Sequence, residues 1–186
     1  MGTTPGRIVT NAAGASSVSP VFDMVALGAD PTGTADAHTI FNSALSSAAN
    51  GGEIDFPCGT YKMTADVAQS LAAGKHLKLK GAGTDCTTLT FPSGNGLTIT
   101  EGSQFSSIDV EDITFTTGSD PSTEAAVTLN MTAAQVGPAA AAGNSAKSTF
   151  RNGSFHGADG YALTDYWNTA IAIQGKRCSQ ATALKS

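Results

Sequence analysis

Two periodicities share this chain, and the order in which they come restricts its fold more than any other property. Ile40, Phe41, Ala44, Leu45 and Ala48 recur at three- and four-residue intervals, which gives one apolar face of a helix. After this segment the pattern changes to short two-residue alternations separated by Gly, Asn, Asp and Ser. One set reads GLTIT (96–100), AVTLN (126–130) and YALTD (161–165), with Leu97 and Ile99, Val127 and Leu129, and Tyr161 and Leu163 at alternate positions. A second set aligns VEDITF (110–115) with FRNGSF (150–155), matching Val110 to Phe150, Asp112 to Asn152 and Phe115 to Phe155. LKLKGAG (77–83) and IAIQGKR (171–177) are looser relatives of that second set. Recurrence at roughly 30 to 40 residues is what stacked rungs with variable corners produce, and it implies about three to four rungs.

A β-sandwich would also show many short alternating strands. The repeat, and the polar corner residues Asp112 and Asn152 set between apolar neighbours, favour the stacked arrangement. Residues 21–63 sharpen this. They run from a short apolar stretch (21–27) through GADPTGTAD (28–36) to the amphipathic helix, then through GG to EIDFPCGTY. Asp36 is placed to cap the first turn of the helix, and Asn50 and Gly51 to end it. This arrangement resembles the N-terminal signature of the pectate-lyase-like superfamily, which includes pectate lyases, polygalacturonases and phage tailspikes.

The resemblance implies an all-β, right-handed single-stranded parallel β-helix with an N-terminal capping α-helix. Residues 1–20 would form a flexible arm or attachment segment, and 21–186 the β-helix domain, with 21–63 as its cap and 64–186 as its coils. The helix would hide the unpaired strand edges and the open apolar bore of the first coil. A corner Asn can hydrogen-bond the same group one coil above, whereas Asp112 weakens such a ladder unless a donor intervenes. Residues 132–147 read as a long excursion from one corner, and the chain closes on 171–186 without an amphipathic cover, leaving the last coil uncapped. That ending fits a trimmed domain of a longer tailspike or enzyme, a short protein completed by oligomerisation, or a truncated gene product.

Composition narrows the function. With a formal charge of −5 and ten Lys and Arg scattered along 186 residues, the chain has no basic cluster for nucleic acid. No apolar run approaches the roughly 18 residues that cross a bilayer, and residues 1–20 lack a secretory-signal pattern. Cys58, Cys86 and Cys178 stand apart with no CxxC spacing, so they read as small buried apolar residues, neither a zinc site nor a disulfide framework. His38, His76 and His156 show no ligand spacing, and no metal or other cofactor is expected. GADPTGTAD lacks the Gly-Lys-Ser/Thr ending of a phosphate loop, and the sequons at Asn130 and Asn152 matter only on a eukaryotic secretory route.

Chemistry is sparser. The Asn-Thr-Asp, Asp-Asp, Gly-His-Gly and Arg-Ile-Lys motifs of the resembled polygalacturonases are absent. If Val110 points inward, Asp109 and Glu111 share one outer face and could act as acid and base, hold a cation, or simply keep a strand solvated. Asp159 and Asp165, beside Tyr166 and Trp167, form the better constellation for sugar, the carboxylates accepting hydroxyl hydrogen bonds and the aromatic faces stacking on pyranose rings. The resemblance then implies a carbohydrate-associated module of phage-tailspike or surface-appendage type, a homotrimer binding a polysaccharide or cell-surface glycan, in a virion or at an extracellular surface. The alternative is the N-terminal part of a polysaccharide lyase or glycoside hydrolase acting on an acidic glycan, with Asp109, Glu111, Asp159 and Asp165 as catalytic candidates.

Overall fold

A computed structural model describes residues 20–94, 96–102, 105–118, 124–132, 147–159 and 164–175. The opening unit consists of β1 (Val21–Asp23), β2 (Thr32–Asp36) and α1 (His38–Ser47). Four groups of three strands follow. The first two are β3 (Gly52–Phe56), β4 (Gly59–Lys62) and β5 (Val67–Leu71), then β6 (His76–Gly81), β7 (Thr87–Phe91) and β8 (Leu97–Glu101). The last two are β9 (Ser107–Glu111), β10 (Thr114–Thr117) and β11 (Ala125–Met131), then β12 (Thr149–Arg151), β13 (Ser154–Gly157) and β14 (Thr169–Gly175).

Equivalent strands of successive groups pair with one another. Three sheets result, ordered β1-β3-β6-β9-β12, β2-β4-β7-β10-β13 and β5-β8-β11-β14. Every strand pair among the described residues is parallel. Among the described residues the fold is therefore mostly β, with one helix and three parallel sheets. In β3, β6, β7 and β8 buried and half-buried residues alternate strictly, as a pleated strand with one inward face requires. The inward residues of all three sheets, among them Ile54, Phe56, Tyr61, Leu79, Leu89, Ile99, Val110, Phe115 and Val127, belong to one core.

The repeat read from sequence is visible in the register. Leu79, Val110 and Phe150 align in the first sheet, and Leu89, Phe115 and Phe155 in the second. Between them Asp112 (φ 61°) and Asn152 (φ 49°) take the left-handed conformation that Asp and Asn tolerate better than most residues. The two corners are joined by the Asn152 amide, whose Nδ2 donates to Asp112 Oδ1 at 2.6 Å. Gly81 occupies the matching place one rung earlier. A Cβ there would lie 2.1 Å from the Asp112 carbonyl oxygen, so the rungs approach too closely for any side chain.

One placement expected from the sequence is corrected. The third member of the GLTIT and AVTLN column is 169–175, since Val127 and Leu129 pair with Ile171 and Ile173. IAIQG thus belongs to the first set, not the second, because alternation alone cannot say which corner precedes a strand. Of YALTD, Tyr161 and Leu163 lie outside the described residues, and Thr164 and Asp165 form a bend. Residues 1–19, the excursion at 133–146, Cys178 and residues 183–186 also lie outside them.

The helix α1 follows β2 where later groups carry their third strand, and it lies against the start of the third sheet. Phe41, Ala44 and Leu45 are buried. Phe41 meets Phe56 edge-on at 4.9 Å, and Phe56 meets Tyr61 at 5.2 Å, so the helix is keyed to the first two sheets through one aromatic row. Ser46 Oγ donates to Gln69 Oε1 at 3.1 Å, and Lys75 Nζ donates to the Leu45 carbonyl at 3.1 Å. Ala37 is the residue at the N-cap, and its side chain makes no cap. Asp36 acts one position earlier, its Oδ1 accepting from the N–H of His38 and of Thr64, both at 3.0 Å, which ties the start of the helix to the next rung.

The cysteine reading is overturned. Cys58 and Cys86 form a disulfide with a Cα–Cα separation of 4.8 Å. Cys58 is exposed and Cys86 half-buried, so neither is a core residue. Both sit in corners between the first and second sheets, Cys58 just before β4 and Cys86 just before β7, and Gly59 N–H donates to the Cys86 carbonyl at 2.9 Å. A spacing of 28 residues hides this pairing from any local motif, because it is one rung of the repeat.

Among the described residues one carboxylate is buried within the stack. Glu101 is 7% exposed and accepts a short hydrogen bond from Ser148 Oγ, which itself accepts from Ile108 N–H at 3.0 Å. Burial raises its pKa above the ordinary 4.5, against the opposing effect of the Ser148 hydroxyl. The native state therefore holds this proton to higher pH than the unfolded chain, and stability falls as pH rises through the window above 4.5. Glu101→Gln, which keeps the acceptor for Ser148, is expected to raise the melting temperature at pH 7 by about 2–4 °C, with the gain vanishing towards pH 4. Scanning calorimetry across that range checks it; an equal effect at both ends would reject the account.

Candidate functional site

Val110 is buried, so its neighbours Asp109 and Glu111 on β9 do point to the outer face of the first sheet. Parallel register stacks that face into two columns: Glu53, Lys78, Asp109 and Thr149 in one, and Asp55, Lys80, Glu111 and Arg151 in the other. Asp109 lies 3.4 Å from His76 Nε2 and accepts from Thr149 Oγ1. Glu111 is bracketed by Arg151 Nη2 at 2.9 Å and by a close ion pair with Lys78, which also reaches Glu53 at 3.5 Å. The hydrogen bond to Glu111 raises the Lys78 pKa, and burial raises that of Asp55 despite the nearby Lys80. Half-exposed pairs of this kind contribute little singly, but together they latch neighbouring rungs in register.

His76, Lys78, Thr149 and Arg151 were missed in the sequence. The match of VED to FRN already set Glu111 against Arg151, and carrying LKLKGAG into the same alignment would have added Lys78 and Lys80.

The second constellation lies elsewhere, between β13 and β14. Asp159 Oδ2 accepts from Thr164 N–H (3.0 Å), Thr164 Oγ1 (2.6 Å) and Asp165 N–H (3.2 Å). These bonds, led by the Thr164 hydroxyl, lower its pKa. They fold the segment back over Gly157, where a Cβ would lie 1.8 Å from the Asp165 carbonyl oxygen. Trp167 turns towards the core. Its Nε1 donates to the Phe115 carbonyl at 3.2 Å and its ring meets Phe91 edge-on at 6.1 Å. Tyr166 is the aromatic that faces outward, 45% exposed.

The structure thus places Asp159, Asp165, Tyr166 and Trp167 together against the second sheet, and leaves Asp109 and Glu111 on the first. His156 on β13 has its Nδ1 at 2.7 Å from the Gly157 carbonyl, beside that turn, whereas His38 sits on α1 with Nε2 3.1 Å from the Asp66 carbonyl. Among the described residues no group of three or more His, Cys, Asp and Glu side chains could hold a metal ion. No helix among them is long and apolar enough to cross a membrane.

No protein-family model matches the sequence, and no curated protein is significantly similar to it. Among solved structures the chain is similar to ORF18 of Geobacillus virus E2, with a TM-score of 0.53 and 16% identity over 73% of this chain. The match covers 26% of that protein, so the chain spans about a quarter of its length. At this identity the likeness is one of fold.

Proposed function

We propose that the three parallel sheets wind as a right-handed parallel β-helix of the pectate-lyase-like kind, serving as a structural, glycan- or receptor-binding module of a phage tail or related surface appendage. The observation that carries this reading is the fold shared with a phage protein over most of the chain. The exposed Cys58–Cys86 bridge supports an extracellular or virion location, since disulfides persist in oxidising surroundings. Engaged carboxylates on the first sheet favour a structural module over an enzyme, because Asp109 and Glu111 already hold neighbouring groups. In this reading the exposed Tyr166 would meet sugar, with the neighbouring Trp167 as its anchor.

A homotrimer is the association that the resemblance implies. Light scattering is expected to give three times the 18.7 kDa chain mass. A panel of acidic and neutral polysaccharides should show binding without turnover, weakened about tenfold by Tyr166→Ala. A monomer that releases oligosaccharide or unsaturated uronate would replace this reading with that of the leading rungs of a lyase or hydrolase.

A further inference from the structure

At the helix-bearing end of the stack, β1, the turn after it and the outer side of α1 enclose a groove of about 300 Å³ lined by Phe22, Leu27, Ile40 and Ala44, with Thr39, Ser43 and Ser47 along its rim. Three of the most exposed large apolar side chains gather nearby in sequence: Val21 at 59%, Leu27 at 47% and Val25 at 40%. Phe22, Leu27 and Ile40 thus leave a small apolar groove open at this end of the stack. We infer that the groove is the docking site of the chain's own N-terminal segment, with Ile8 and Val9 inserted between Phe22, Leu27 and Ile40.

Connection and size select this occupant. Residues 1–19 lie outside the described structure, and the chain joins it at Pro20, whose carbonyl accepts from Glu53 N–H at 3.2 Å. Phe22, in the groove wall, is two residues further on. Ile8 and Val9 are the one adjacent pair of large apolar residues between Gly2 and Ser19. The residues between Val9 and Pro20 can span up to about 30 Å, ample for a return to a wall that begins two residues past Pro20. A groove of about 300 Å³ suits two branched side chains, and its seven lining residues are far fewer than the roughly 20 to 30 a side of a stable protein interface. Tethering also raises the local concentration of the segment to the millimolar range, so modest affinity suffices.

The test uses the full chain and its Ile8→Asp, Val9→Asp variant, which leaves residues 20–175 untouched. Amide exchange in α1 and at residues 24–28, together with binding of an apolar dye, is read in both. The variant is expected to exchange about tenfold faster there and to bind more dye, with unchanged exchange in β10 and β11. In a second variant, Val9→Cys with Ser43→Cys, oxidation should link the two introduced thiols in a monomer. Equal exchange and dye binding, or a 9-to-43 link found only between chains at high concentration, overturns the proposal.

Discussion

Replacing Cys58 and Cys86 by serine together is expected to lower the unfolding midpoint by roughly 10 °C, taking about 2–4 °C per kcal/mol for a chain of this size. The bridge closes a loop of 28 residues, and the chain-entropy account gives about 3.5 kcal/mol for such a constraint on the unfolded state. Because the staple joins consecutive rungs at matching corners, and because it is exposed, mild reduction of the native chain should reproduce most of the effect. Peptide mapping without reductant should recover the two cysteines on one linked fragment. A midpoint within 2 °C of the parent would mean that the unfolded chain is already constrained there.

Phe56→Ala is expected to be at least as damaging, at about 3–5 kcal/mol, the usual range for removing a fully buried ring. Phe56 lies on β3 and touches Phe41 of α1 on one side and Tyr61 of β4 on the other, so its loss opens the joint between the helix and two sheets. Tyr61 is fully buried in the same joint, where burial pushes its phenol up to about 12. In a stack where each rung contacts chiefly its neighbours, the loss should be graded. Hydrogen exchange is expected to quicken most in α1, β3 and β4 and least in β13 and β14. Uniform acceleration along the chain would show that the rungs unfold as a single cooperative unit.

Much of this architecture was legible because parallel stacking leaves its period in the sequence. The alignment of 110–115 with 150–155 placed Val110 against Phe150, Phe115 against Phe155 and Asp112 against Asn152, and each pairing is seen. What stayed hidden depends on which corner precedes a strand. IAIQG and VEDITF alternate alike, yet the first follows the bend around Asp165 and joins the third sheet, while the second runs through the Asp112 corner from the first sheet into the second. The cysteines failed for the same reason, since 28 residues of separation become one rung of height only once the rung length is known. In the candidate site, Trp167 read either as a sugar platform or as a core filler, because sequence cannot tell an aromatic facing solvent from one whose indole N–H is held, as here, by the Phe115 carbonyl. Asp159 looked like a ligand for hydroxyls, and it is one, but for the hydroxyl of Thr164 in its own turn.

The corners between the first and second sheets are unequal. Pro57 and Cys58 suffice between β3 and β4, and Asp112 with Ile113 between β9 and β10, whereas residues 82–86 bulge out between β6 and β7 without disturbing the pairing of Leu89 with Tyr61 or Phe115. Length at that position is decoupled from register. A corner that lengthens without shifting the strands on either side lets the scaffold vary a surface loop beside a covalent staple while the layers above and below stay in step.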